Sequence, residues 1–265
     1  MLAVGGTVLW FVQTGSPAAL PVAIAGLGVT LLLMVPLSIH ATARVPLRVE
    51  VVPVDPRQSG PEWLAKYVET SSKNLAAEGF VQLGAYTSRG QALTLVRIVL
   101  RARETGDVAV LFGAYLEAAP TLPKLRYVAF FTELAGNRQR STSNRPDPSN
   151  IPPPADRVVE RFPQVADPVL LYRIHRALVD KEPKREPTSY RESGAFDPAQ
   201  FILGIEQVAR KHQLALGYFV EDGAEVRPTW KGAFLMGLPR APIVGSVLEA
   251  RVRLRAAGRM RQLGF

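Results

Sequence analysis

The hydrophobic pattern separates an apolar N-terminal end from a mixed remainder. Residues 18–39 read AALPVAIAGLGVTLLLMVPLSI and contain no charged side chain. As a helix rising 1.5 Å per residue, this stretch would extend about 33 Å, close to the roughly 30 Å hydrocarbon thickness of a bilayer. The pattern therefore predicts a transmembrane helix over residues 18–39, within a membrane anchor that occupies residues 1–43.

The segment before this run is also apolar, but it is shorter. Residues 1–12 would extend only about 18 Å as a helix, too short to cross a bilayer alone, and residues 13–17, QTGSP, form a turn-like break. Two interpretations stay open: a short first span that makes a helical hairpin with the second, or an interfacial segment beside a single span. A cleaved signal peptide fits less well, because no basic segment precedes the long apolar run.

The basic residues around the predicted span indicate its orientation. Arg44, Arg48 and Arg57 follow it, whereas no Lys or Arg precedes it. Lys and Arg are retained on the cytoplasmic side of membrane spans. We therefore expect a protein of the cell membrane whose soluble part faces the cytoplasm, joined to the anchor by a lead-in over residues 44–60.

The remainder predicts an α+β domain over residues 61–238. Pro61 begins an amphipathic helix that ends at Gly79, and four β-rich runs follow at 80–86, 92–101, 108–116 and 125–134. The turns between these runs are short, which favours an antiparallel meander. A polar run from 137 to 143 predicts a further strand at the edge of the sheet, paired through a hairpin at residues 135–136. We expect four to six strands with helices packed on them.

The second half of the chain alternates proline-rich and helical segments. Residues 146–168 hold seven prolines and predict an extended connector, packed down by its apolar side chains. Asp-Pro pairs at 167–168 and 197–198 are typical of helix starts, and Asp222-Gly223 predicts a hairpin. Residues 239–265 predict a basic C-terminal helix, with five arginines between 251 and 261 against one acid.

Composition narrows the chemistry that the chain can perform. The 265 residues include no cysteine and three histidines, and the net charge is +9. We therefore expect no disulfide framework, no metal site and no cofactor. Nucleic acid is not an expected partner, because the basic residues are not gathered with aromatic residues on one face. Neither a glycine-rich phosphate loop nor a zinc- or serine-hydrolase motif occurs. His175 is expected to be a partly packed helix residue.

Two basic segments are candidate binding sites. Residues 137–145, the polar run and the two residues after it, supply guanidinium, hydroxyl and amide groups that could hold phosphate or an anionic headgroup, although charged edge strands also protect sheets from aggregation. The C-terminal helix could contact headgroups or an acidic protein partner, or could be solvated. The candidate residues are Arg138, Arg140, Asn144, Arg145, Arg251, Arg255 and Arg259.

The sequence thus favours a membrane-anchored protein with a cytoplasmic-facing domain. We expect a non-catalytic binding or scaffolding module at the membrane surface, whose partners are anionic lipid headgroups or an acidic protein. The alternative is a membrane-tethered enzyme that acts on an anionic lipid or envelope substrate. The oligomeric state stays open.

Overall fold

The computed structural model describes residue 30 and residues 33–47, 49–56, 60–89, 93–136, 138–146, 151–182 and 196–265. The predicted short first span and most of the predicted span at 18–39 lie outside these residues. Helix α1 (Leu33–Thr42) is the described end of that apolar run. No single helix in the described ranges has the length and apolar composition of a membrane span. One pair of consecutive helices, Trp230–Arg240 and Val244–Leu263, reaches this length and composition when the two are taken together. The two helices are bent by 76° at the break between them.

The larger of two sheets in the described residues has seven strands, adjacent in chain order and antiparallel except for the last pair. The predicted meander and the hairpin at residues 135–136 are confirmed. The strands are β2 (Val52–Pro53), β3 (Phe80–Arg89), β4 (Leu93–Ala102), β5 (Val108–Leu116), β6 (Ala119–Leu134), β7 (Arg138–Ser143) and β8 (Arg157–Arg161).

Helices cover both faces of this sheet, as the apolar character of both faces of β4 requires. Val96, Ile98 and Leu100 of β4 join the core on one face, whereas Val99 joins the core on the other. The first face is covered by α2 (Glu62–Ala77), α3 (Pro168–Asp180) and α6 (Pro242–Leu263), and the second by α4 (Pro198–Ala215). The α+β class is therefore confirmed.

Strand β7 is internal, which corrects the expectation that it forms the edge. The proline-rich connector contains β8, which pairs with β7 in parallel. A strand forms there because residues 155–162 are free of proline and include two adjacent valines. Phe162 and Val165 are buried, so the expected packing of this connector onto the domain is confirmed.

The smaller sheet joins the lead-in to the second half of the chain. Strand β1 (Val45–Pro46) pairs with β10 (Glu225–Pro228), which forms the predicted hairpin with β9 (Phe219–Asp222). Gly223 has a φ of +65° in this turn, a conformation that glycine adopts at low cost. Thr229 then caps α5 (Trp230–Gly237), and a short 3₁₀ turn, Leu238–Arg240, leads into α6.

We predict that Gly232→Ala destabilises the contact between α5 and the start of β9. A Cβ at this position would lie 1.9 Å from the carbonyl oxygen of Tyr218, so the backbone would have to shift. The cost of such overpacking is about 1 to 3 kcal/mol in the free energy of unfolding, measurable by urea denaturation. The control is Gly204→Ala in α4, where a Cβ meets nothing within 4 Å. Equal stability of the two variants would contradict the prediction.

Candidate functional site

A groove of about 520 Å³ lies between β8 and α6. Strand β8 and the residue after it contribute residues 159–162, and the segment before the strand adds Ile151 and Pro153. Helix α6 contributes Val252, Arg255, Ala256 and Arg259. We call this the arginine groove, after Arg161, Arg255 and Arg259.

The spacing of residues on α6 explains how its side chains reach the groove together. Positions 252, 255, 256 and 259 are separated by three, four and seven residues, which places them on one helix face. Ala256 is 4% exposed and packs into the core, so this small residue lets the helix lie close to the sheet. Arg255 and Arg259 therefore lie about one helical turn apart, beside β8.

The lining of the groove is predominantly positive. Its only carboxylate among the described residues is that of Glu160, and Nε of Arg259 lies 3.4 Å from Glu160 Oε2. Glu160 also accepts a hydrogen bond of 2.9 Å from Arg140 Nη1. Arg259 and Arg140 thus share this carboxylate, and Arg161 and Arg255 line the same groove. Such a set can hold phosphate or carboxylate oxygens in bidentate contacts, and the apolar lining can accept attached apolar groups.

Arg138 and Arg140 of the polar run face acids rather than the groove. The side chain of Arg140 is 5% exposed, and its two terminal nitrogens donate to Glu160 and Glu182. Arg138 is more exposed, with Nη2 3.6 Å from Glu182 Oε2. The charge of both arginines is therefore balanced by acids from β8 and from the residues after α3.

The other candidate residues lie outside the lining of the groove. Asn144 Oδ1 accepts from the backbone N–H of Val128 at 2.8 Å, and its Nδ2 donates to the carbonyl of Val165 at 3.0 Å. Arg145 lies over the ring of Tyr127, 5.7 Å from its centroid. Arg251 is exposed on α6, outside the residues that line the groove. The structure thus brings Arg255 and Arg259 together and links Arg259 to Arg140 through Glu160.

Sequence reasoning missed Glu160 and Arg161, because the proline content of the connector concealed β8. The available signal was the pair of valines at 158 and 159, which form a β-branched run between Pro154 and Pro163. A strand interpretation of that run would have placed charged side chains beside the polar run.

A second polar cluster, the buried Asp107 network, lies between the sheet and α3. Thr132 Oγ1 donates to Asp107 Oδ1 at 2.5 Å and lies 2.9 Å from His175 Nε2. A hydroxyl has one proton to donate, so Nε2 of His175 is the donor to Thr132. His175 Nδ1 lies 2.9 Å from Thr142 Oγ1. His175 is fully buried, deeper than the sequence suggested.

Asp107 receives three further donors on its other oxygen. Thr105, Arg176 and Tyr172 donate to Oδ2 at 2.8, 3.0 and 3.1 Å. Burial acts to raise the pKa of Asp107, but the positive charge of His175, the bond from Thr132 and the charge of Arg176 outweigh it and lower the pKa. Burial, followed by the negative charge of Asp107, raises the pKa of Tyr172 to about 12.

The space around this network is small. The cavity that Asp107 and Thr132 line measures about 10 Å³, enough for about one water molecule. The network joins α3 to strands β6 and β7 and to the turn before β5 through hydrogen bonds. Its evident role is therefore to fix α3 in place.

Another cavity, of about 580 Å³, lies between β1, the strands β2–β4 and α4. Its buried cation, Arg97, donates to Ser88 Oγ at 2.7 Å and to Glu206 Oε1 at 2.6 Å, so its charge is neutralised within the chain. The arginine groove differs from this cavity in having three arginines and one carboxylate among its described lining residues. In comparisons with known proteins, no family model, no curated protein and no solved structure matches this chain.

Proposed function

We propose that the chain is a membrane-anchored, non-catalytic binding module whose cytoplasmic-facing domain holds an anionic lipid headgroup in the arginine groove. The supporting observation is the pair Arg255 and Arg259, which lie one helical turn apart in a groove whose only carboxylate among the described residues is that of Glu160. Glu160 is already shared by Arg140 and Arg259, so a bound phosphate would add negative charge beside Arg255 and Arg259.

The proposed membrane anchoring would keep the domain beside the lipid that it is proposed to bind. A span at residues 18–39, oriented by the arginines that follow it, keeps the domain at the cytoplasmic leaflet, where anionic lipids are concentrated. A Lys or Arg near such a surface contributes about 1 kcal/mol to lipid binding. The apolar lining of the groove, which includes Val159, Phe162 and Val252, suits the glyceryl and upper acyl parts of a lipid.

The test compares two double variants of the full chain in a neutral detergent. Calorimetric titration with dioctanoyl phosphatidylglycerol should give an affinity roughly thirtyfold weaker for Arg255→Gln/Arg259→Gln, from the loss of about 2 kcal/mol. The matched control is Arg251→Gln/Arg253→Gln, which removes the same charge from the same helix outside the groove. This control should bind the lipid nearly as well as the original chain.

Three results would argue against the proposal. Equal weakening in both double variants would mean that the overall charge of α6, not the groove, attracts the lipid. Equally tight binding of a hexaglutamate peptide, lost in the groove variant, would favour the acidic protein partner. Release of a cleaved product from the lipid, detected by mass spectrometry, would favour the membrane-tethered enzyme.

A further inference from the structure

Three helices carry most of the exposed large apolar side chains in the described residues. Twelve such side chains are exposed there, and seven of them lie on α1, α5 and α6. Scattered exposed apolar residues are normal in soluble proteins, whereas a concentration on neighbouring elements indicates an interaction surface. The seven are Leu33, Met34, Leu37, Trp230, Phe234, Val247 and Leu254.

Helices α1 and α5 are held together by specific contacts. The ring of His40 stacks on Trp230 with the centroids 4.2 Å apart, and His40 Nδ1 lies 2.9 Å from the carbonyl oxygen of Pro228. A Cβ at Gly237 would lie 2.9 Å from Pro36 Cγ, so the two helices approach closely. Helix α1, with its exposed apolar side chains, is therefore packed against α5.

The chain then continues from α5 into α6 through a strongly apolar segment. Residues 232–248 contain one charged side chain, that of Arg240, and the helices on either side of the break meet at 76°. The two most exposed apolar side chains on α6 are Val247, at 62%, and Leu254, at 73%. They are seven residues apart, which places them on the same side of the helix.

We infer that α1, α5 and α6 as far as Leu254 form a membrane-contact surface that lies in the interfacial layer of the bilayer. This inference rests on the proposed membrane anchoring and adds a second mode of attachment. The occupant is lipid because Leu33, Met34 and Leu37 of α1 belong to the uncharged run at 18–39, so the surface includes the C-terminal end of the predicted span. Trp230 and Arg240 are residue types that favour the headgroup level.

The geometry also connects this surface with the arginine groove. Leu254 immediately precedes Arg255 on α6, so insertion of Leu254 brings Arg255 close to the headgroup layer. An interfacial helix combines inserted apolar side chains with basic ones that reach the headgroups in this way. Helix α6 would then lie along the membrane rather than extend away from it.

The absence of cysteine from the sequence makes the test direct. Single cysteines are introduced into the full chain as Val247→Cys, Leu254→Cys and, as a control, Leu83→Cys on β3, where the side chain is 41% exposed. Each is spin-labelled and reconstituted into vesicles of phosphatidylcholine and phosphatidylglycerol. We expect the ratio of oxygen to nickel-complex accessibility to be at least threefold higher at positions 247 and 254 than at position 83.

The outcomes separate this inference from the proposed function. Equal ratios at the three positions, in chains that resist alkaline carbonate extraction, would overturn the membrane-contact surface and leave the anchoring intact. Low accessibility to both reagents at positions 247 and 254 would indicate a second copy of the chain or another protein on this surface, and would also overturn it. Release of the chain by carbonate would overturn the anchoring and, with it, this surface.

Discussion

Replacing Asp107 with asparagine is expected to lower the free energy of unfolding by about 3 to 5 kcal/mol, the usual cost of removing one partner from a buried charge pair. The side chain of Asp107 is fully buried, and its two oxygens accept four hydrogen bonds from side chains. An amide would turn one acceptor into a donor, and Arg176 would lose its buried counter-ion. Urea denaturation of the full chain in detergent, followed by circular dichroism, measures the difference.

The pH dependence of stability provides a second readout for the same group. The pKa of Asp107 is lowered in the folded protein, whereas an unfolded aspartate titrates near 3.9. A lowered folded pKa adds stability above the unfolded pKa, and this stability is lost as the pH falls through the folded pKa. The original chain should therefore lose stability on acidification below about pH 4, and Asp107→Asn should lose less over that range.

Asp180→Asn is the matched control for this substitution. Asp180 also accepts from Arg176, at 2.9 Å, but its side chain is 59% exposed. Exposed ion pairs of this kind contribute roughly 0 to 1 kcal/mol, so the control should be close to the original chain. A loss below 1 kcal/mol for Asp107→Asn would show that the network is not important for stability.

The local parts of the fold were predictable because their signals are local. The side chain of Asp167 accepts from the N–H groups of residues 169 and 170, and that of Asp197 from residues 199 and 200, as the Asp-Pro pairs indicated. The hairpin at Asp222-Gly223 and the meander over residues 80–134 likewise follow from turn chemistry and alternation.

Strand β8 was not predictable in the same way. Its only local signal is the pair of valines at 158 and 159, and its pairing with β7 joins residues 18 positions apart. The depth of His175 has a similar origin: its ring is buried because Thr132 and Thr142, from two different strands, meet it beneath α3. Contacts between residues far apart in the chain, 18 positions for β7 and β8 and 33 or 43 positions for His175, leave no local pattern in one sequence.

The candidate binding residues show that ion pairing between distant residues also cannot be predicted from one sequence. The sequence indicated correctly that arginines are concentrated in two segments, but it could not indicate which of them have acidic partners in the fold. Arg140 contacts Glu182, 42 positions later, whereas Arg255 lies in a groove beside two other arginines. The distribution of charges along the sequence does not distinguish Arg140 from Arg255.

Replacing Arg140 with methionine is expected to lower the free energy of unfolding by about 3 kcal/mol. Arg140 is nearly buried between Glu160 and Glu182, whose side chains are 22% and 12% exposed. Its removal leaves two carboxylates in partly dry surroundings, where Glu160 lies 3.4 Å from Arg259 and Glu182 lies 3.6 Å from Arg138. Breaking a buried pair in this way costs about 3 to 5 kcal/mol, and the exposure of the acids favours the lower value.

The control is Arg138→Met, which removes the same charge from the same strand. The side chain of Arg138 is 43% exposed and contacts Glu182 at 3.6 Å, so the loss should stay below about 1 kcal/mol. A third variant, Arg140→Met/Glu182→Gln, should recover part of the stability, because it removes one of the unpaired carboxylates. The prediction would be contradicted if the Arg138 and Arg140 variants were equally stable, or if the third variant recovered nothing. Arg140 would then contribute no more to stability than an exposed cation does. The polar run would then again be a candidate for direct binding of anions.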